Sequence, residues 1–369
     1  MTRVIHFVTG GGSGATKVAI DLACGNLRNR IYEPLLVMRR KRVPLPATMQ
    51  SQITAAQLRV AWVDRWPKSR TLRQLAEIIA EFRPQIFVAH GNSEHIWGRQ
   101  AAFRAGVPVV LHVEQNCERY PIWRRWAARA LAQKTTATIC VSRGVAEHLA
   151  ELNLAGPRVE IIQNGIDSSR FSIGAPPLQE RSQDIVMVAR FARQKDQPTL
   201  IRAAKRLVNA GWTGKLILGG GGKPSHRRVA EKLVEKLGLS GRVEFPGHVS
   251  DAAAIYHRCR AAVLSTHYEG LPLVLIDYMA AGCGAIASIA PGTDDLIQDG
   301  VNGWLFPRGD DAALAEILTR VLAGGPQIER VVARAREDAP SRFSLEQMVN
   351  RYETLFAELL RESRASGDI

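Results

Sequence analysis

The sequence predicts an α/β protein built from two parallel sheets, each covered by helices on both faces. Three observations predict it. Short β-rich runs alternate with amphipathic helical stretches from end to end, and the runs are continuously apolar, as in strands buried on both faces. A glycine-rich turn follows the first strand, and another follows a strand of the second half. The length, 369 residues, suits two cores better than one.

In the first half the candidate strands are Val4–Val8, Ile86–Ala89, Val109–His112 and Thr138–Ser142, with a further strand starting at Tyr32-Glu33-Pro34 and a helix over Leu72–Phe82. Residues 168–184 are polar, contain Pro176-Pro177 and lack periodicity, so the domain boundary falls there. The expected domains are 1–170, with a closing helix 344–369, and 171–343. The second half offers strands Ile185–Ala189, Leu216–Leu218, Val243–Phe245, Ala262–Leu264 and Ala285–Ala287, and helices Pro198–Asn209 and His226–Leu237. The last helix starts at a capping box, Ser344-x-x-Gln347, and aligns Met348, Tyr352, Leu355, Phe356 and Leu359 on one face.

Composition excludes some classes. No apolar run approaches the roughly 18–20 residues of a membrane span. The N-terminus enters a strand directly, so no signal peptide is expected. The five cysteines include no C-x-x-C pair, which argues for free thiols in a reducing compartment and against a zinc site or disulfide frame. The net charge of +14 is uneven: residues 1–170 carry 24 basic against 12 acidic side chains, residues 171–369 carry 25 against 23. A basic first half beside a near-neutral second half points to something anionic opposite the first, nucleic acid or an acidic leaflet; general solubility explains the charge but not its asymmetry.

Five segments could carry chemistry. Gly10-Gly11-Gly12-Ser13-Gly14 joins the first strand to a helix, which favours an anion, although a tight turn alone explains two of the glycines. Arg190 and Lys195 follow a strand on one loop, a pairing that suits a diphosphate or is merely solvated. Gly219–Gly222 permits close approach of a nucleotide, with a flexible turn as the competitor. Glu269 lies in the loop before a helix that runs from Pro272 to Gly282, and Asp277 is an odd acid inside it; the amides of Gly270, Leu271 and Leu273 make an anion-friendly start. Asp294 and Asp295 open a helix, so a metal site is not expected there.

The order of these segments resembles the retaining glycosyltransferases of the GT-B fold, in glycosyltransferase family 4. The family pattern G-R-x(4)-K-G, a Gly-rich strand end, S-x-x-E-G-x-P-x(4)-E-A-M-A-x-G, G-x-x-E and D-G-x-N-G is matched by Arg190…Lys195, Gly219–Gly222, Ser265…Glu269-Gly270…Pro272…Asp277-Tyr278-Met279-Ala280-Ala281-Gly282, Gly292…Asp295 and Asp299-Gly300…Asn302-Gly303. In the first half the Gly10–Gly14 turn, Val110-Leu111-His112, Val141-Ser142 and Ile162–Asp167 also match. Three departures stand out, Asp277 for Glu, Asp196 for Gly and Asp295 for Glu; none removes a charge type, so activity is expected to survive with an altered donor geometry.

The resemblance implies two Rossmann-like domains facing across a cleft, the first binding acceptor and the second a nucleotide-diphosphate sugar. It implies catalysis by Glu269, His112, Arg190 and Lys195 without metal or cofactor. Donor contacts would come from Gly11, Gly12, Gly220, Gly270, Leu271 and Asp277, the last at the ribose. His112 is otherwise a satisfied histidine at a strand end; His90 and Glu114 are weaker candidates for acceptor contacts.

The acceptor side is read from charge. Arg39-Arg40-Lys41-Arg42 is a tight cationic cluster, and Trp123, Arg124, Arg125 and Trp126 open a helix whose aromatics suit a membrane interface, unless the tryptophans are core. A glycan or lipid-linked acceptor of envelope polysaccharide or lipopolysaccharide synthesis fits, on the inner face of the cytoplasmic membrane. The competing readings are an epimerase of the same fold, a nicotinamide oxidoreductase lacking a clear ribose acid, an inactive sugar-binding relative and a nucleic-acid-binding protein; nucleic acid is not the expected partner, because it leaves Glu269 and Asp277 unexplained.

Overall fold

The structure is a computed structural model that describes residues 1–117, 119–249 and 251–365, without the side chains of 92 and 93. The chain forms two compact units, 1–165 with the last helix, and 166–344. The change of unit falls between Gly165 and Ile166 and again between Ser344 and Leu345.

Unit 1 runs β1 (Thr2–Thr9), α1 (Gly14–Asn29), β2 (Tyr32–Arg39), α2 (Ala47–Ala55), β3 (Val60–Val63), α3 (Lys68–Phe82), β4 (Ile86–His90), α4 (Asn92–Arg104), β5 (Val109–Glu114), α5 (Ile122–Ala132), β6 (Ala137–Cys140), α6 (Arg143–Glu151) and β7 (Val159–Ile161). Its sheet is parallel, in the order β3-β2-β1-β4-β5-β6-β7. Odd-numbered residues of β1 and β2, among them Ile5, Phe7, Leu35 and Val37, pack on one face with Leu75, Ile79 and Phe82 of α3. Even-numbered ones, among them Val8, Leu36 and Met38, pack on the other with Ala19, Ile20 and Ala23 of α1. That two-sided burial is why the strands read as unbroken apolar runs. Pro34 is tolerated inside β2 because β3 pairs only with Leu36–Arg39 and never asks for its missing N–H.

Unit 2 runs α7 (Ser169–Ser172), β8 (Ser182–Val188), α8 (Gln197–Asn209), β9 (Leu216–Gly219), α9 (Pro224–Lys236), β10 (Val243–Gly247), α10 (Ala252–Arg258), β11 (Cys259–Leu264), α11 (Leu273–Ala280), β12 (Gly284–Ser288), β13 (Trp304–Phe306), α12 (Asp311–Ala323) and α13 (Pro326–Arg342). Its sheet is also parallel, ordered β10-β9-β8-β11-β12-β13. The direction of the connections therefore reverses between β1 and β4 in unit 1, and between β8 and β11 in unit 2. At such a reversal the loops at the carboxyl ends of the two strands lead away from each other and leave a crevice for ligand.

The expectations missed β3, β7 and β13, which are edge strands of four, three and three residues with little periodicity to read. Asp294 and Asp295 head no helix: their segment is a single turn, closed by the Ile297 amide on the Thr293 carbonyl at 3.0 Å. The preceding Gly292, at φ +84° and packed on the Gly270 carbonyl, turns the chain there.

The last helix, α14 (Leu345–Ala365), packs on α1. Gly25 makes the close approach possible, since a Cβ there would stand 2.4 Å from the Val349 side chain. Buried Glu353 accepts from Asn26 Nδ2 and Asn29 Nδ2, both at 2.9 Å. Glu353→Ala removes the acceptor of both amides and should cost about 1–3 kcal/mol in urea unfolding, with no loss of helix content.

Candidate functional site

In unit 2 the two loops beside the reversal meet. The first leaves β8 at Ala189. Its course is fixed by the glycine run after β9: the Ala189 amide donates to the Gly219 carbonyl at 2.9 Å, and Phe191 to Gly221 at 2.7 Å. Gly220 and Gly222 have φ of +129° and +137°, and a Cβ on either would lie within 2.5 Å of the Ala189 or Phe191 carbonyl. The glycine run is thus no flexible turn; it lets the two chains stay paired beyond the strands. Arg190 lies between these contacts with its side chain exposed, and its carbonyl accepts from Gln197 Nε2 at 3.0 Å.

One helical turn later come Lys195 and Asp196. Asp196 has φ +34°, the left-handed region that glycine adopts without cost. Here Asp holds the position, and its carboxylate accepts from Thr199 Oγ1 at 2.7 Å in the first turn of α8.

The second loop leaves β11 at Ser265. Ser265 Oγ donates to the Asp196 carbonyl at 3.0 Å, the His267 amide to the Gln194 carbonyl at 2.8 Å, and Gln194 Nε2 to the Tyr268 carbonyl at 2.6 Å. These bonds sew the loops together. They set Lys195 Nζ 2.5 Å from Glu269 Oε1, which also accepts from Thr266 Oγ1 at 2.7 Å. The two side chains are only 12% and 8% exposed. The amides of Gly270 and Leu271, just before α11, have no protein partner among the described residues. The structure therefore joins Lys195 to Glu269 across the two loops.

Asp277 lies on α11, half-buried. Burial pushes the phenols of Tyr256 and Tyr278 up, and the charge of Asp277 adds to the shift of both. Tyr278 went unnoticed in the sequence, although it replaces an alanine of the family pattern. It is wholly buried, and its hydroxyl accepts from the Val188 amide at 2.9 Å, tying α11 to the end of β8. The later D-G-x-N-G segment is structural: Asp299 Oδ1 accepts from the Leu305 amide at 2.9 Å, and Asn302 Nδ2 donates to Asp338 Oδ2 of α13 at 2.7 Å.

In unit 1 the Gly10–Gly14 turn has packing reasons of its own. A Cβ at Gly10 would meet Trp62 and the Arg39 carbonyl, and one at Gly12 would meet Pro46, all within 3.0 Å. A Cβ at Gly11 would stand 3.4 Å from the Lys41 side chain. Ser13 caps α1, accepting from the Thr16 amide at 3.2 Å.

The expected cluster 39–42 is divided. Arg39 is buried, 5% exposed, on Glu94 of α4 (Nε to Oε1, 2.7 Å) and over the Trp97 ring. As the last residue of β2 it points into the protein, so only Arg40, Lys41 and Arg42 remain at the surface. Arg40 covers Trp62, and beyond the β3 end Trp66 is 72% exposed.

The tryptophans of α5 are not core. Ile122, Trp123 and Trp126 are 74%, 68% and 69% exposed, while the opposite side of the helix buries Ala128, Leu131 and Ala132. Arg124 stacks over Trp123, and Arg125 and Arg129 are exposed along the flank. No helix among the described residues is long and apolar enough to cross a membrane.

Histidines line the interior of unit 1. His6 Nδ1 meets His90 Nε2 at 3.2 Å, and His6 Nε2 meets Asn26 Oδ1 at 3.0 Å. His112, opposite Ala89 in the sheet, is 2% exposed, and neither of its ring nitrogens has a hydrogen-bond partner among the described residues. Burial lowers His6 to about 4, against a smaller opposing effect of Asn26, and holds His90, His95 and His112 well below the ordinary imidazole value. Among the described residues, no three His, Cys, Asp or Glu side chains group to hold a metal ion.

Two Rossmann-like units, each on a parallel sheet, make up the GT-B fold. Residues 12–170 match the model of Glycosyltransferase Family 4 and residues 169–338 that of Glycosyl transferases group 1; the chain belongs to this family and is a glycosyltransferase. It is 26% identical over 229 residues to the lipopolysaccharide core biosynthesis glycosyltransferase LpsE of Rhizobium meliloti, covering 61% of this chain and 65% of the relative. It is also 26% identical over 211 residues to the amylovoran biosynthesis glycosyltransferase AmsK of Erwinia amylovora, covering 55% and 52%. Both alignments span less than two thirds of the relative's length. The fold matches that of Anabaena Alr3699/HepE in complex with UDP-glucose, with a TM-score of 0.85, 18% identity and coverage of 97% of this chain and 100% of that one.

The four neutral, buried histidines make stability depend on pH. Unfolding exposes groups that bind protons near pH 6.5, while the folded values lie lower. Below pH 6.5 the unfolded state therefore takes up more protons, and stability falls by up to about 1.4 kcal/mol per pH unit for each histidine. For His6 the loss levels off near pH 4. Chemical unfolding from pH 7.5 down to 5 should show this decline, and His6→Asn should make it shallower.

Proposed function

We propose that the protein is a retaining glycosyltransferase that moves a sugar from a nucleotide-diphosphate sugar to a glycan or lipid-linked acceptor in the synthesis of envelope polysaccharide or lipopolysaccharide. The observation that carries this reading is the buried Lys195–Glu269 pair, held by loops from both sides of the reversal in unit 2. The names of the two relatives and the UDP-glucose complex of the solved neighbour support the substrate classes.

The donor lies against unit 2. Its diphosphate takes Arg190 and Lys195; an ammonium has three donors, so Lys195 can keep Glu269 and still reach a phosphate oxygen. As the sugar–phosphate bond breaks, negative charge grows on the leaving group, and fixed cations stabilise that charge more than the ground state. Glu269 and the amides of Gly270 and Leu271 hold the sugar, Asp277 the ribose, and Gly220 admits the nucleotide closely. With no carboxylate nucleophile assigned, the leaving phosphate accepts the acceptor's proton on the face it departs from, which retains configuration. In unit 1, Gly11, Gly12 and His112 are the residues offered to a ligand.

Unit 1 takes the acceptor, on an anionic membrane surface. On α5, Ile122, Trp126, Ala130 and Trp123 occupy one arc of the helix, opposite its buried side, with Arg125 and Arg129 beside them. Exposed aromatics next to cations are what an interfacial helix presents to lipid. Arg40, Lys41 and Arg42 add charge, so the protein works as a peripheral protein on the inner face of the cytoplasmic membrane.

Nucleotide sugars, UDP-glucose first, should raise the melting temperature, because a ligand of the native state stabilises by mass action. Lys195→Met and Glu269→Ala should each lower turnover by about a hundredfold or more while the protein stays folded. Free nucleotide diphosphate should appear only when acceptor is present; its release together with an isomerised sugar, without acceptor, would instead mark an epimerase. A panel of donors with no thermal shift would overturn the reading.

Vesicles rich in phosphatidylglycerol should sediment the protein, and neutral phosphatidylcholine vesicles should not. Trp123→Ser/Trp126→Ser should abolish the binding, and removal of Arg125 should weaken it about fivefold, the equivalent of about 1 kcal/mol.

A further inference from the structure

Unit 1 holds a polar cluster that this mechanism leaves largely unused. Arg99 and His95 of α4, Glu114 and His112 of β5, and Tyr120 of the loop before α5 are all buried. Their protons can be placed by elimination. A guanidinium only donates, and Arg99 Nη2 lies 2.7 Å from His95 Nδ1. That nitrogen carries the lone pair, so the His95 proton is on Nε2. Nε2 is 3.2 Å from Tyr120 Oη, which accepts there and turns its own proton to Glu114 Oε2 at 2.5 Å.

Arg99 is fixed in turn. Its Nε donates to the His95 carbonyl at 3.0 Å, and its Nη1 to Thr135 Oγ1 at 2.7 Å; Thr135 donates onward to the Leu131 carbonyl at 2.8 Å. Burial lowers the guanidinium only to about 10, so it stays charged at neutral pH. The result is one directed chain from a buried cation, through a neutral imidazole and a phenol, to a carboxylate. Such order is costly to keep without a use, because each buried charge depends on every link.

His112 stands at the far end of the chain. Its ring stacks on His95, with centroids 4.2 Å apart and planes 19° apart. Its Nε2 is 3.6 Å from Glu114 Oε2, close for a charge and too long for a hydrogen bond. An N–H aimed at an anionic oxygen is favoured over a lone pair aimed at it. We propose that Glu114, oriented by the Arg99–His95–Tyr120 chain, is a positioning residue that fixes His112 as the Nε2–H tautomer, so that Nδ1 offers a lone pair to a ligand hydroxyl. The identity of that ligand rests on the transferase reading; the tautomer does not. Hydrogen bonds of this kind tighten when substrate arrives, which suits the long Nε2–Oε2 distance.

The test is nitrogen NMR of the full chain labelled in its histidine rings, at pH 7.5, with His112 assigned by the signals lost in His112→Gln. Wild type should show His112 with its proton on Nε2 and an unprotonated Nδ1. Glu114→Gln, which keeps the volume, and Glu114→Leu/Tyr120→Phe, which removes both polar partners together, should each turn His112 into a mixture of tautomers. His95, held by Arg99, should keep its proton on Nε2 throughout. A purely structural cluster would lower the melting temperature of the variants and leave the His112 tautomer as in wild type, and that result overturns the proposal; so does an Nδ1–H in wild type. Titration with UDP-glucose should then shift His112 Nδ1 and not His95. An unmoved Nδ1 in a protein that shows the expected tautomers overturns the ligand contact alone.

Discussion

The structure depends on one constraint: parallel strands must be joined by crossovers, and somewhere in each sheet the crossovers change direction. In unit 2 the change falls between β8 and β11. The loop after β8 brings a lysine and the loop after β11 brings a glutamate, and a set of short backbone and side-chain bonds locks them together. Lys195 and Glu269 are 74 residues apart in sequence, yet nearly out of water. Either charge alone would be costly there. Each of the surrounding oddities serves this meeting: the left-handed Asp196, the glycines at 220 and 222 that let two loops pair beyond their strands, and Gly292 against the Gly270 carbonyl.

Unit 1 repeats the architecture with a different use of polarity. Its interior carries imidazoles that are neutral because they are buried, and a hydrogen-bond chain whose direction is set by a residue that can only donate. Its outside carries charge and aromatic surface together. The opposite sides of α5 have opposite fates: Ala128, Leu131 and Ala132 face inward, and the tryptophans face outward. The same residue type thus means core in one place and surface in another, and helical spacing by itself does not distinguish them.

Much of this was legible in the chain. The alternation of strands and helices, the glycine turns and the segment from Glu269 to Asp277 follow from local chemistry: apolar runs for strands buried on both faces, and Pro272 and Gly282 at the ends of a helix. Where the reading failed, the cause was also physical. The edge strands β3, β7 and β13 are too short to carry a period. Arg39 belongs to a run of four basic residues, and only the direction of the last side chain of β2 buries it on Glu94. Asp294 and Asp295 have the composition of a helix start, but a turn at Gly292 and the packing of the loop allow one turn only.

What the sequence determined by itself was the class of fold and the family, because these depend on patterns close together in the chain. What the tertiary structure decided was which charges meet. It paired Lys195 with Glu269, and linked Arg99 to Glu114 through His95 and Tyr120. Such pairings are set by strand order and by burial, and neither is written in the spacing of residues along the chain.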